Sequence, residues 1–145
     1  MKVMSRNSVF TTIILMLAIA LAAMSQTPAA PKHHAVLQMS EPQGDEWSYL
    51  LAHIQNTRIA FANDGGVEIE AVFFGPGLDM LRKTNTGQAE ILQRFSAQGV
   101  KLAACRNSMR DRNITTEELF PFASTVDSGV AELVRKQEAG WAYVK

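Results

Sequence analysis

One residue of the 145 has a side chain built for sulfur chemistry, the single cysteine Cys105. It closes the apolar run VKLAAC and is followed by Arg106 and Asn107. A thiol acts as a nucleophile only as its thiolate, and a neighbouring cation or a helix N-terminus favours that form. Arg106 and Arg110 are near in sequence, and a helical turn starting at Asn107 would aim backbone N–H groups at the sulfur. By residue type alone the bland alternative leads, because free cysteine is among the most buried side chains and often only fills space. With one cysteine there is neither an intramolecular disulfide nor a second thiol to resolve one, which argues against a thioredoxin-like oxidoreductase.

Other chemistry-bearing residues rank lower. His33 and His34 are adjacent, but without a carboxylate or thiol at ligand spacing they read as exposed chain, and no metal site is expected. His53 borders an apolar helical arc and reads as a half-buried surface histidine. Arg58 falls on the apolar side of that helix, where it snorkels past the core edge or faces a neighbouring subunit. Gly75-Pro76-Gly77 has neither the Walker nor the dinucleotide fingerprint and reads as a tight turn, so no cofactor is expected. Lysine plus arginine and aspartate plus glutamate both total 14, and this neutral balance makes nucleic acid a poor partner.

The elements that must position Cys105 alternate along the chain. Residues 35–39 (AVLQM) read as a strand, and Trp47, Leu50, Leu51, Ile54 and Phe61 recur at helical spacing before Asn63-Asp64-Gly65-Gly66 ends the helix. Residues 67–75 (VEIEAVFFG) alternate and then become continuously apolar, as a strand does on passing from an exposed end into a covered sheet. A weak helical segment spans residues 78–81, and a firmer one carries Ile91, Leu92 and Phe95 to Gly99. Residues 100–105 form the third strand. Thr115 and Glu118 have capping-box spacing, and residues 122–126 read as the fourth strand. Asp127 or Ser128 caps a last helix with Val130, Leu133, Val134 and Gln137 on one face, and residues 141–145 (WAYVK) form an edge strand on which Trp141 and Tyr143 pack.

Strand-helix alternation requires helical crossovers and hence parallel strands. The predicted architecture is an α/β three-layer sandwich with a mostly parallel sheet of about five strands. In such sheets ligands bind outside the C-terminal strand ends. Cys105, the turn after Phe74 and the loop after Met39 are all expected at that edge.

The N-terminus indicates compartment. Lys2 and Arg6 precede an uncharged apolar run, residues 9–23, and small residues follow, which is the order of a secretory signal peptide over residues 1–25. Cleavage is expected after Ala22 or Ser25, giving a periplasmic or secreted protein. An uncleaved segment would anchor it to the membrane instead, although the run is shorter than the roughly 20 residues of a bilayer span. Residues 26–34 read as an irregular lead-in to one domain over residues 35–145.

From about Ala35 onward the chain resembles the DsrE/DsrF-like family of sulfur-relay proteins. The resemblance lies in VEIEAVFFGPGLDML, GVKLAACRNSM, EELFPFASTVDSGVAEL and the terminal EAGWAYVK, in that order and spacing. It implies a flavodoxin-like core and a Cys105 that accepts a sulfane sulfur as a persulfide and passes it on. From their place beside Cys105 at the strand ends, Gly75, Gly77, Arg106 and Asn107 are the candidate supporting residues. It also implies a trimer or hexamer, with sulfur donor and acceptor proteins as partners. The signal peptide departs from the family's cytoplasmic relays. The expected function is an exported sulfur carrier or sulfurtransferase, and the alternative is a non-catalytic binding or assembly module that keeps the fold.

Overall fold

A computed structural model describes residues 31–145 of the chain. The signal-peptide pattern and its cleavage sites lie outside the described residues. Among the described residues no helix is long and apolar enough to cross a membrane.

Five strands form one sheet: β1 (His33–Met39), β2 (Val67–Phe73), β3 (Lys101–Cys105), β4 (Ser124–Val126) and β5 (Ala142–Val144), in the order β4-β3-β2-β1-β5. Every pairing is parallel. The crossovers carry helices α1 (Asp45–Phe61), α2 (Ala89–Ala97), α3 (Arg106–Asp111) and α4 (Gly129–Glu138). The chain steps from β1 to β4 in one direction and then returns across the sheet to β5. Right-handed crossovers therefore place α1 and α2 on one face and α4 on the other.

Side-chain alternation sorts the residues accordingly. Leu37, Met39, Ile69, Phe73, Leu102 and Ala104 join the larger core with Trp47, Leu50 and Ile54 of α1 and Leu92 and Phe95 of α2. Val36, Val72 and Ala103 face the other way, against Leu133 of α4, with Phe74, Val126 and Trp141 at the margin. Cys105 shares the parity of Ala103 and lies on the α4 side.

Several local expectations change. β1 begins at His33 rather than at residue 35, because His33 and His34 continue the register with Val67 and Glu68. β4 begins only at Ser124. The weak helical segment is a 3-10 helix from Gly75 to Leu81 with proline in its first turn. Thr115 and Glu118 do form a capping box, on the short 3-10 helix Thr116–Glu118. On α4 the apolar face divides: Leu133 is buried, while Val130 and Val134 are 61% and 48% exposed. The inner face instead carries Lys136, whose Nζ lies 2.7 Å from the carboxylate of Glu70 and 3.9 Å from the Trp141 ring centroid. Glu70, expected near an exposed strand end, is only 4% exposed because α4 covers it.

Arg58 is half-buried and reaches Gln98 at the end of α2, which fits snorkelling. His53 is half-buried. His33 bonds Asp64 at 3.1 Å and stacks on Phe61. His34 points to the opposite face, toward Glu68 and Trp141. Tyr143 on the β5 edge donates to Gln38 at 2.9 Å.

Candidate functional site

The C-terminal ends of the strands are stitched together by main-chain contacts. Phe74 N–H donates to the Met39 carbonyl at 3.0 Å and Gly77 N–H to the Ser40 carbonyl at 3.2 Å, joining the loops after β1 and β2. A Cβ on Gly77 would lie 2.4 Å from the Met39 carbonyl oxygen, so only glycine permits this approach. Gly75 N–H donates to the Ser108 hydroxyl at 2.9 Å, joining the loop after β2 to α3. Asn107 N–H donates to the Asp127 carbonyl at 3.3 Å, joining α3 to the turn after β4.

Cys105 sits in the middle of these contacts. It ends β3, pairs with Val126, and is the residue from which α3 starts. Its sulfur also lies at the start of α4: Gly129 N–H donates to Sγ at 3.1 Å. Ser128 caps that helix, its hydroxyl accepting from Ala131 N–H at 3.4 Å. Gly129 must be glycine on steric grounds, since a Cβ there would meet the Phe74 ring at 2.8 Å. That close approach brings the first turn of α4 down onto the sulfur.

The thiol is 4% exposed, yet it lies one layer beneath the surface, since Arg106, Asn107 and Asp127 around it are exposed. Burial pushes its pKa up, and the surrounding donors outweigh burial, so the net position is below the ordinary thiol value. Those donors are the Ser108 and Gly129 N–H groups, the Ser108 hydroxyl and the Asn107 N–H. The α3 amides act chiefly as dipoles directed at the sulfur, since Cys105 accepts no full capping hydrogen bond from its own helix. Gly129 supplies the one bond of full geometry. Donors directed at the sulfur favour the anion over the neutral thiol.

The DsrE/DsrF-like family matches residues 32–145, nearly all of what the structure describes. This chain belongs to the DsrE/DsrF-like family. A solved protein of unknown function from Methanobacterium thermoautotrophicum, MTH1491, is similar over 78% of this chain and 98% of its own, with 31% identity and a TM-score of 0.68. No curated protein matches. The family is that of the sulfur-relay proteins, and its flavodoxin-like α/β sandwich agrees with the sheet described above.

Within this DsrE/DsrF-like domain the structure brings Gly75, Asn107 and Cys105 to one edge, with Gly77 behind them packed against Met39. Arg106 is directed elsewhere: its guanidinium bonds the Thr125 hydroxyl and the Asp127 carboxylate, both at 3.0 Å. Arg110 is engaged with the Asn107 side chain. The groups that lower the thiol pKa are therefore N–H and O–H donors, in place of the cations suggested by sequence proximity. Sequence reasoning missed Ser108 and Gly129. Ser108 carried a signal, being three residues after Cys105 and so on the same side of a helix starting there. Gly129 carried none, because its 24-residue separation from Cys105 closes only through the sheet.

Proposed function

We propose that this chain is a sulfur carrier of the cell envelope in which Cys105 cycles between thiol and persulfide. The observation that supports it most is the donor shell: a cysteine kept only to fill space has no use for N–H and O–H groups converging on its sulfur. In the loading step the Cys105 thiolate attacks the outer sulfur of a donor persulfide, R–S–SH. A new S–S bond forms at Cys105, the donor's S–S bond breaks, and its electron pair leaves on the donor thiolate. Unloading reverses the roles toward an acceptor thiolate, and a lowered pKa makes Cys105 the better leaving group. No second cysteine competes for the bound sulfur.

Export follows from the signal-peptide pattern, and N-terminal sequencing of the envelope protein is expected to start after Ala22 or Ser25. Self-association as a trimer or hexamer is favoured by exposed Val130 and Val134 and by the β5 edge with Tyr143. Light scattering of the mature domain at micromolar concentration tests this, and a clean monomer overturns it.

The alternative is a non-catalytic binding or assembly module, and the burial of Cys105 favours it. Intact mass after incubation with a low-molecular-weight persulfide separates the two. A gain of about 32 Da, one sulfur atom, is expected for wild type and none for Cys105→Ser. An unchanged wild-type mass supports the module.

A further inference from the structure

A polar cleft of about 400 Å³ opens at the strand-end edge beside the start of α1. Its volume falls in the range of small-molecule sites, and in α/β sheets such sites lie outside the C-terminal strand ends. Gln43 and Trp47 border it from the loop after β1 and the first turn of α1. Asp79 and Arg82 border it from the 3-10 helix after β2 and its C-cap, and Thr84 and Asn85 from the turn that follows.

The charged wall of the cleft is held firmly. Phe120 N–H donates to the Leu81 carbonyl at 2.9 Å and Lys83 N–H to the Glu118 carbonyl at 2.8 Å, which fastens the backbone on both sides of Arg82. The Asn85 side chain donates to the Met80 carbonyl at 2.9 Å, so its oxygen remains an acceptor.

Four charged side chains run in a row along this wall: Glu118, Arg82, Asp79 and Arg112. The outer links are tight, Arg82 to Glu118 at 2.7 Å and Arg112 to Asp79 at 2.7 Å. The middle link is loose, with Arg82 Nη1 3.5 Å from Asp79 Oδ1. A charge-assisted hydrogen bond closes to roughly 2.7–2.9 Å, so this pair is not saturated. It is also the pair that borders the cleft. Arg82 Nε in addition has no hydrogen-bond partner among the described residues. The fold thus leaves a cation and an anion side by side, each with hydrogen-bonding capacity to spare. A lone anion drawn to Arg82 meets the Asp79 carboxylate, and a lone cation drawn to Asp79 meets the guanidinium. A molecule with both charges one carbon apart satisfies both groups.

We propose that this cleft binds a free α-amino acid, whose ammonium donates to Asp79 Oδ1 and whose carboxylate accepts from Arg82 Nη1. The amides and hydroxyls of Gln43, Thr84 and Asn85 face the remainder of the ligand. The site is separate from the sulfur carrier reading and does not depend on it. Arg112 nonetheless links the two places, since it donates to Asp79 and, at 2.9 Å, to the Gly75 carbonyl in the turn near Cys105.

The test is a titration of the isotope-labelled protein, followed by NMR, with S-methyl-L-cysteine, which has no free thiol. Its N-acetyl derivative lacks the ammonium and its methyl ester lacks the carboxylate. The zwitterion is expected to shift the backbone amides of Asp79, Arg82 and Asn85 and to bind at least about tenfold more tightly than either derivative, because each derivative loses one charge-assisted hydrogen bond. Equal affinity for the three compounds, shifts confined to other parts of the domain, or no shift up to about 10 mM overturns the proposal. Arg82→Gln should bind the zwitterion and the methyl ester alike, and Asp79→Asn the zwitterion and the N-acetyl compound alike. A variant that is folded by circular dichroism and still discriminates as wild type does also overturns it. Where a variant fails to fold, the three-ligand comparison on wild type decides. Persulfide loading of the same protein is a separate readout, so the carrier reading and this site fail or stand independently.

Discussion

Two polar groups lie buried beneath α4, one under each end. Under its last turn Glu70 meets the Lys136 ammonium at 2.7 Å, and the Trp141 ring covers that cation from the other side. Under its first turn Cys105 meets Gly129 N–H, the α3 amides and a serine hydroxyl. Both groups are 4% exposed. At one end a full charge is cancelled by a full charge, which fastens the helix to β2 and leaves nothing reactive. At the other, the dipoles of N–H groups converge on the thiol sulfur, which favours its anion without supplying a full countercharge. One helix thus covers an ion pair at one end and a thiol at the other.

The largest effect is expected at the anchoring end. Lys136→Met leaves the Glu70 carboxylate buried without a partner and should cost about 3–5 kcal/mol in denaturant unfolding. Glu70→Leu in the same chain should return most of that loss, because the uncompensated charge is gone. A single variant as stable as wild type would mean that Glu70 reaches water.

At the other end Gly129→Ala sets a methyl against Phe74, whose nearest ring carbon would be 2.8 Å away. Lifting the first turn of α4 to relieve this is expected to cost about 1–3 kcal/mol. It should also withdraw the N–H from Sγ, so the alkylation midpoint rises together with the stability loss. A destabilised variant with an unmoved midpoint would separate α4 from the thiol.

Cys105→Ser is expected to cost less, about 1 kcal/mol, and its cost should depend on pH. The folded thiol has a lowered pKa, so its ionised form stabilises the native state. That contribution is complete above the unfolded thiol's ordinary value of 9.0 and is lost as pH falls through the folded value. The melting-temperature gap between wild type and the serine variant should therefore widen as pH rises toward 9.0 and close as pH falls through the folded thiol's lowered pKa. A constant gap would indicate a thiol that stays neutral. Smallest of all, Val134→Ser on the exposed face should change monomer stability by no more than about 0.5 kcal/mol. A larger shift that depends on protein concentration would place this face in a subunit contact.

Alternation of apolar runs and helical arcs made the parallel sheet legible, and the strand-end position of Cys105 was legible with it. The capping box at Thr115 and the turn glycines could also be read, because their signals are local. Contacts made by the return of the chain could not. The pairing of Glu70 with Lys136, the descent of Gly129 onto Sγ and the diversion of Arg106 to Asp127 depend on which face α4 covers and how β4 abuts β3. Val130 and Val134 were placed on an apolar face by spacing alone. Leu133 of that face does point inward, but only the sheet's geometry shows that Lys136 joins it in place of Val130 and Val134.

Folding makes Cys105 more acidic despite burying it. The pH dependence of iodoacetamide alkylation, measured on the native protein and on the same chain in denaturant, tests this most directly. The expected result is a native midpoint below that of the denatured chain, with a reaction that proceeds without global unfolding. A native midpoint at or above the denatured one, or alkylation only at the rate of unfolding, would contradict the account and leave Cys105 a packing residue.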